Sequence, residues 1–185
     1  MSAVNQAQSG FPYQVNYNPP TANQVSGIAA SYRGSNLYRP NGVAGAKLNS
    51  LNKAASTGTS VQYININTVA NPTGGAVAIP ASTVNGVTAS PFGNLSRDPG
   101  RGPIYNNLNL AFNKRFDTPM ESLKVEFRGE LYNTFNHTNF TTPGGTIANS
   151  TAKDANGNTV AVQTGGAITS TFDPRIVQFG LKVLF

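Results

Sequence analysis

Val177, Phe179, Leu181, Val183 and Phe185 occupy alternate positions at the end of the chain, with Gln178, Gly180 and Lys182 between them. Successive side chains of a strand point to opposite faces. The segment 175–185 therefore predicts a strand with one wholly apolar face and one mixed face, ending on an aromatic ring. The segment 104–116 repeats the pattern, with Leu108, Leu110, Phe112 and Phe116 on one parity and Asn107, Asn109, Ala111, Asn113 and Arg115 on the other. In 122–136, Leu123, Val125, Phe127, Leu131 and Phe135 alternate with the charged row Lys124, Glu126, Arg128 and Glu130. A fourth strand is predicted near 9–17, where Phe11, Tyr13, Val15 and Tyr17 share a face and Pro12 sits close enough to the start to be tolerated. No stretch carries a helical period.

The connections between these strands differ greatly in length. Asp117, Thr118, Pro119, Met120 and Glu121 read as a tight turn containing a proline. Residues 18–103 and 137–170 read instead as long polar loops rich in Asn, Gly, Ser and Thr. A minor strand is expected at Val61–Asn67, and Asn156-Gly157 predicts a small hairpin across Lys153–Val162. Transmembrane barrels have short periplasmic turns and long outer loops. With Phe185 at the periplasmic end, each connection falls on the side that rule requires. The fold class read from the pattern is all-β: an open antiparallel sheet of about four long strands with long loops, a piece of a transmembrane β-barrel occupying residues 1–185.

Composition sharpens this reading. Only 11% of the 185 residues are charged, against about 25% for an ordinary soluble domain. Yet no window approaches the ~20 apolar residues of a membrane helix. Barrel strands need only alternation. The chain has no cysteine, which excludes disulfides, thiolate metal sites and cysteine nucleophiles. The net charge of +6 comes from 13 scattered basic residues with no basic run and no recognition helix, so nucleic acid is not an expected partner.

Lys124, Glu126, Arg128 and Glu130 form the one chemical constellation, here a candidate lumen-facing row. It reads more readily as a ladder of charges paired with neighbouring strands than as a guide for a polar solute. Phe116 and Phe185 are candidate aromatics for the inner membrane interface, and Phe135 and Phe140 for the outer one. His137, the only histidine, sits in an Asn/Thr-rich stretch and reads as a loop residue, not a ligand. Asp154, Asn156 and Asn158 have some spacing of a calcium loop, but Gly157 is misplaced and the distal glutamate is missing, so a turn is the better reading. Gly100, Gly102 and Pro103 do not make a phosphate loop, because no lysine and helix follow. No nucleophile–base pair is present. Neither an enzyme nor a cofactor or metal site is expected.

Several segments together resemble the C-terminal end of TonB-dependent receptors of the Oar-like, acidobacterial type. They are Phe92-Gly93-Asn94-Leu95-Ser96-Arg97 with Arg101-Gly102-Pro103, and Leu108 to Phe116. Next come Phe127 through Phe140, and Ile168-Thr169-Ser170 with Asp173-Pro174-Arg175 through Phe185. Arg39-Pro40-Asn41 also matches an element of that family's loops. Coverage is good from Phe92 onward and thin before it. The tail resembles a barrel-assembly signal, carried by Gln178, Gly180, Val183 and Phe185. The resemblance implies a barrel of about 22 strands with a plugged lumen, energised by the TonB complex and inserted by the barrel-assembly machinery into the lipid of a Gram-negative cell outer membrane.

Met1 to Gly10 lacks a basic segment followed by an apolar core, so the signal peptide is expected to be missing from this chain. Four strands are fewer than the roughly eight of the smallest bacterial barrels. The expectation is therefore a C-terminal fragment, with Met1 an internal methionine or a mis-assigned start. Two alternatives remain from the sequence: a passive porin-like barrel fragment, and a soluble, secreted β-sandwich adhesin. The transported solute is unknown.

Overall fold

A computed structural model describes residues 1–19, 38–57, 60–120 and 123–185. Among these, the strands in chain order are β1 (Ser2–Gln8), β2 (Pro12–Tyr13), β3 (Asn16–Tyr17), β4 (Asn41–Gly42), β5 (Asn49–Thr57), β6 (Ser60–Ile64), β7 (Val77–Ala78) and β8 (Thr83–Val84). Then follow β9 (Val87–Thr88), β10 (Gly100–Arg101), β11 (Tyr105–Asp117), β12 (Lys124–Tyr132), β13 (Thr146–Lys153), β14 (Thr159–Thr164), β15 (Ala167–Ile168) and β16 (Ile176–Leu184). The described residues contain no helix. The chain divides into two compact units: unit 1 comprises 1–10, 103–140 and 171–185, and unit 2 comprises 11–102 and 141–170.

Unit 1 is built on one four-stranded antiparallel sheet in the order β1-β11-β12-β16. Its register carries the sequence alternation across the sheet. Leu110 pairs with Leu131, and Leu131 with Val177; Phe116 pairs with Val125, and Val125 with Val183. One face thus carries an apolar band across β11, β12 and β16, interrupted on β11 by Lys114 opposite Phe127. The other carries Arg115 beside Glu126 and Glu126 beside Lys182. The apolar face is uncovered: Phe179 is 65% and Leu181 70% exposed. The short turn joining β11 to β12 is closed by Leu123 N–H donating to Met120 O at 2.9 Å and by the Thr118 hydroxyl donating to Leu123 O at 2.7 Å. Glu121 and Ser122, expected in that turn and at the start of the following strand, lie outside the described residues.

The fourth strand of the sheet is not the one predicted. Ser2–Gln8 pairs along β11 from Ser2↔Ala111 to Gln8↔Tyr105, whereas 9–17 contributes only the short β2 and β3 to unit 2. Ser2–Gln8 alternates weakly, because Ala3, Asn5 and Ala7 occupy its side of the apolar face. The strong alternation of Tyr13, Val15 and Tyr17 serves a different purpose: all three are buried in unit 2. The strand predicted over 122–136 also stops early, at Tyr132. Asn133, which shares the parity of Leu131 and Phe135, takes φ 50° and is buried, so the alternation ends there.

The segments read as long loops, 18–103 and 137–170, are largely a folded unit in the parts described; 20–37 lie outside the description. Every buried apolar side chain of the described residues belongs to unit 2, including Val15, Tyr38, Ile64, Val77, Ile147 and Ile168. Small sheets frame it. β13 pairs antiparallel with β14 and parallel with β3, and β6 lies between β5 and β15. Tyr17 donates to Pro91 O at 2.5 Å and Tyr63 to Arg101 O at 2.9 Å, so the phenols bury their rings while satisfying their hydroxyls. Tyr13 donates to Asn49 Oδ1. Burial, with Tyr63 adding to it, pushes the Tyr13 phenol above its ordinary pKa. Gln62 donates to the carbonyls of Ile64 (2.8 Å) and Gly165 (3.1 Å). Buried amides of this kind replace the ladder bonds that such short strands lack.

Turn chemistry inside unit 2 is local. Asn85 (φ 51°) and Gly86 (φ 79°) close the two-residue hairpin between β8 and β9, the geometry Asn-Gly favours. Asn156-Gly157 behaves differently from the expectation. The turn spans Asp154–Asn158, and the hairpin it closes pairs from Ala148↔Thr164 to Lys153↔Thr159, longer than Lys153–Val162.

Candidate functional site

The charged row lies on one face of unit 1, as its parity requires. Glu126 accepts from Arg115 at 3.2 Å and from Asn113 Nδ2 at 2.7 Å. Lys124 stands 4.0 Å from its registered partner Asp117. Arg128 pairs with Glu130, which also accepts from Tyr132 at 3.1 Å. Each charge of the row therefore has a neighbour of opposite sign, across the β11–β12 pair for Lys124 and Glu126 and within β12 itself for Arg128 and Glu130.

The terminal strand completes the same two faces. Gln178 pairs with Glu130 and Gly180 with Arg128 on the polar face, and Val183 pairs with Val125 on the apolar face. Phe185 follows β16 and is 98% exposed. Phe116, also exposed, stands at the same short-turn edge. Phe135, 79% exposed, and Phe140, bridged to Thr171, follow the opposite ends of the strands. The four candidate interface aromatics thus fall in two groups at opposite edges of the sheet. Lys114 lies on the apolar face, opposite Phe127. Its position passes without notice in the alternation, and a long stem lets such a lysine carry its ammonium towards an interface.

At the opposite edge from the short turn, the stretch Asn133-Thr134-Phe135-Asn136-His137-Thr138-Asn139 folds into a set of amide clamps. Asn133 donates to His137 O at 2.9 Å and Asp173 O at 3.3 Å, and accepts from His137 N–H at 2.9 Å. Asn139 exchanges both its amide groups with the Asn106 backbone at 2.9 Å. His137 Nδ1 lies 3.1 Å from Asn139 Oδ1, so the histidine is part of this polar cluster. These clamps tie β11, β12 and the approach to β16 together where the ladder ends. Their sequence signal is the density of asparagine, a residue that tolerates positive φ and pairs with backbone groups.

Asp154 accepts from the backbone N–H of Asn158 (2.8 Å) and of Asn156 (2.9 Å). The hydrogen bonds from Asn158, led by its backbone, hold the carboxyl below its ordinary pKa. That is a turn cap. No group of three or more His, Cys, Asp or Glu side chains with metal-binding geometry occurs among the described residues. Among the described residues no helix is long and apolar enough to cross a membrane.

An uncovered apolar band backed by a charged ladder is the two-faced sheet of a membrane barrel. The family model of the outer membrane beta barrel domain matches residues 1–178. The chain belongs to that family, and its place is the outer membrane. No curated protein and no solved structure matches the chain.

Proposed function

We propose that the chain is the C-terminal barrel segment of an outer-membrane TonB-dependent receptor of the Oar-like type. In this reading the uncovered face of β11, β12 and β16 meets outer-membrane lipid, and the free edges of β1 and β16 pair with the rest of the barrel. Gln178, Gly180, Val183 and Phe185 are read by the barrel-assembly machinery. The segments 18–103 and 137–170 stand outside the membrane and contact the solute. Energy enters from the TonB complex through parts N-terminal to this chain. The role is gated transport, without catalysis.

The observation that supports this reading best is the register of unit 1. It keeps a terminal strand's apolar residues on one face across three strands, with a short turn at one edge and long insertions at the other. A passive porin would share that sheet. The test is the coding DNA upstream of Met1 read in the same frame. An open frame encoding further alternating strands, a plug and a TonB-contact segment supports the receptor. An open frame with strands and no plug makes the protein a passive porin. A stop codon and ribosome-binding site just before Met1 overturns both.

A further inference from the structure

We infer that a cleft at the long-insertion edge of unit 1 is a subsite for one neutral, hydroxyl-bearing ring, a monosaccharide unit of the solute. The proposal rests on reading the charged face of the sheet as the lumen face. The cleft measures about 210 Å³ and is lined by Tyr105, Asn107, Asn109, Tyr132, Phe172 and Asp173 among others. That is smaller than the ~300–1,000 Å³ of drug-sized pockets and suits a single ring.

Its walls combine the two features that recognise a sugar. Tyr105 and Phe172 meet edge to face, with centroids 5.2 Å apart, and Phe172 remains half exposed. An aromatic face is negative and attracts the weakly positive C–H groups on the apolar side of a sugar ring. Amides provide the polar side. Asn109 Oδ1 accepts from Asn133 N–H at 2.9 Å, which leaves its Nδ2 free to donate. Asn107 Nδ2 donates to the Tyr105 hydroxyl at 3.1 Å, and its Oδ1 is buried with no hydrogen-bond partner. Turning the Asn107 amide over exchanges the two atoms and still leaves one unpaired. A buried polar atom without a partner is rare and costly in a native protein. A ligand hydroxyl can both donate and accept, so it satisfies either orientation. The atom is covered at rest, so binding requires a small side-chain turn of Asn107, a change common at binding sites.

Charge narrows the ligand further. Asp173 is the one ionisable carboxylate among the lining residues, and no lysine, arginine or histidine lines the cleft. Phosphates and carboxylate chelators meet no cation here and one like charge.

The test is NMR titration of the full chain in detergent micelles with methyl glucoside, methyl galactoside and methyl N-acetylglucosaminide. The expected result is saturable shifts of the Asn107 and Asn109 side-chain amides by at least one probe. Affinity should fall at least tenfold in Asn107→Leu and in Phe172→Ala, and stay unchanged in Asn156→Ala, which lies in unit 2. No saturable shift with any probe, shifts confined to other residues, or shifts that persist in both cleft variants overturn the proposal. So does a long-lived water on Asn107 that no probe displaces, which would make the unpaired atom a hydration site only. Binding is read here without transport. Loss of uptake in cells lacking the TonB complex therefore bears on the receptor reading alone, and loss of probe binding on the cleft alone.

Discussion

The ring of Phe112 lies where a side chain on its cross-strand partner, Gly129, would have to go: a methyl group built on Gly129 collides with Phe112 Cζ. Phe179 pairs with Gly129 from the other side. Phe127 bridges the two rings diagonally, with centroids 5.9 Å from Phe112 and 5.7 Å from Phe179. Glycine here is a seat for an aromatic side chain, a device that covers an otherwise weak strand position. Replacing Gly129 by valine should cost about 1–3 kcal/mol, the usual penalty of overpacking. Urea unfolding of the barrel in lipid vesicles measures it, and an unchanged midpoint would mean the ring moves away freely.

The two faces of β16 should respond oppositely to charge. Phe179→Arg places a guanidinium in the middle of the apolar band and should cost roughly 2–4 kcal/mol in a bilayer. Gln178→Arg, one residue away and opposite Glu130, should stay within about 0.5 kcal/mol of the parent. The same vesicle unfolding experiment compares them. Equal effects would show that the band does not face lipid.

Asn133 combines φ 50° with clamps on His137 and Asp173. Asn133→Ala loses both the tolerance for that backbone angle and the buried hydrogen bonds. The expected cost is about 4–6 kcal/mol, from roughly 1 kcal/mol for each of the three net bonds and about 1–3 kcal/mol for the strain of a positive φ. Asn133→Gly relieves the backbone and should recover part of it. Amide exchange at His137, whose N–H is held by Asn133, reports the local loss in both variants. Equal protection in the parent and Asn133→Ala would refute the clamp.

The turn between β13 and β14 should loosen in acid. Asp154 has a folded pKa held below its ordinary value by the amides of the turn. A depressed carboxyl contributes stability that is fully present above its unfolded pKa, about 3.9, and is lost as pH falls through the folded value. Proton exchange and chemical shifts of the Asn156 and Asn158 amides should follow that protonation, and Asp154→Asn should remove the dependence. A titration identical in the parent and the variant would assign the change to another group.

The sheet of unit 1 was legible where alternation and burial coincide. Phe179, Leu181 and Val183 differ so sharply from Gln178, Gly180 and Lys182 that only one parity can face an apolar surround. A one-residue slip would reverse every side chain, so the pattern also specifies the register. The candidate amide clamps were visible only as a run of asparagines. Period-two reasoning has no category for a side chain whose partners are backbone groups tens of residues away, such as Asn139 on Asn106 and Asn133 on Asp173.

The sequence by itself determined the all-β class, the three strands β11, β12 and β16, their short turn and their two chemically distinct faces. These follow from local parity, which each segment carries within itself. Tertiary structure alone decided that Ser2–Gln8 completes the sheet and that Tyr13, Val15 and Tyr17 are buried with Ile64 and Ile147 in a separate core. Alternation marks a face to be covered but not what covers it. A weak strand such as Ser2–Gln8 is held by backbone hydrogen bonds to β11, and a strong alternating segment goes wherever partners bury its aromatics.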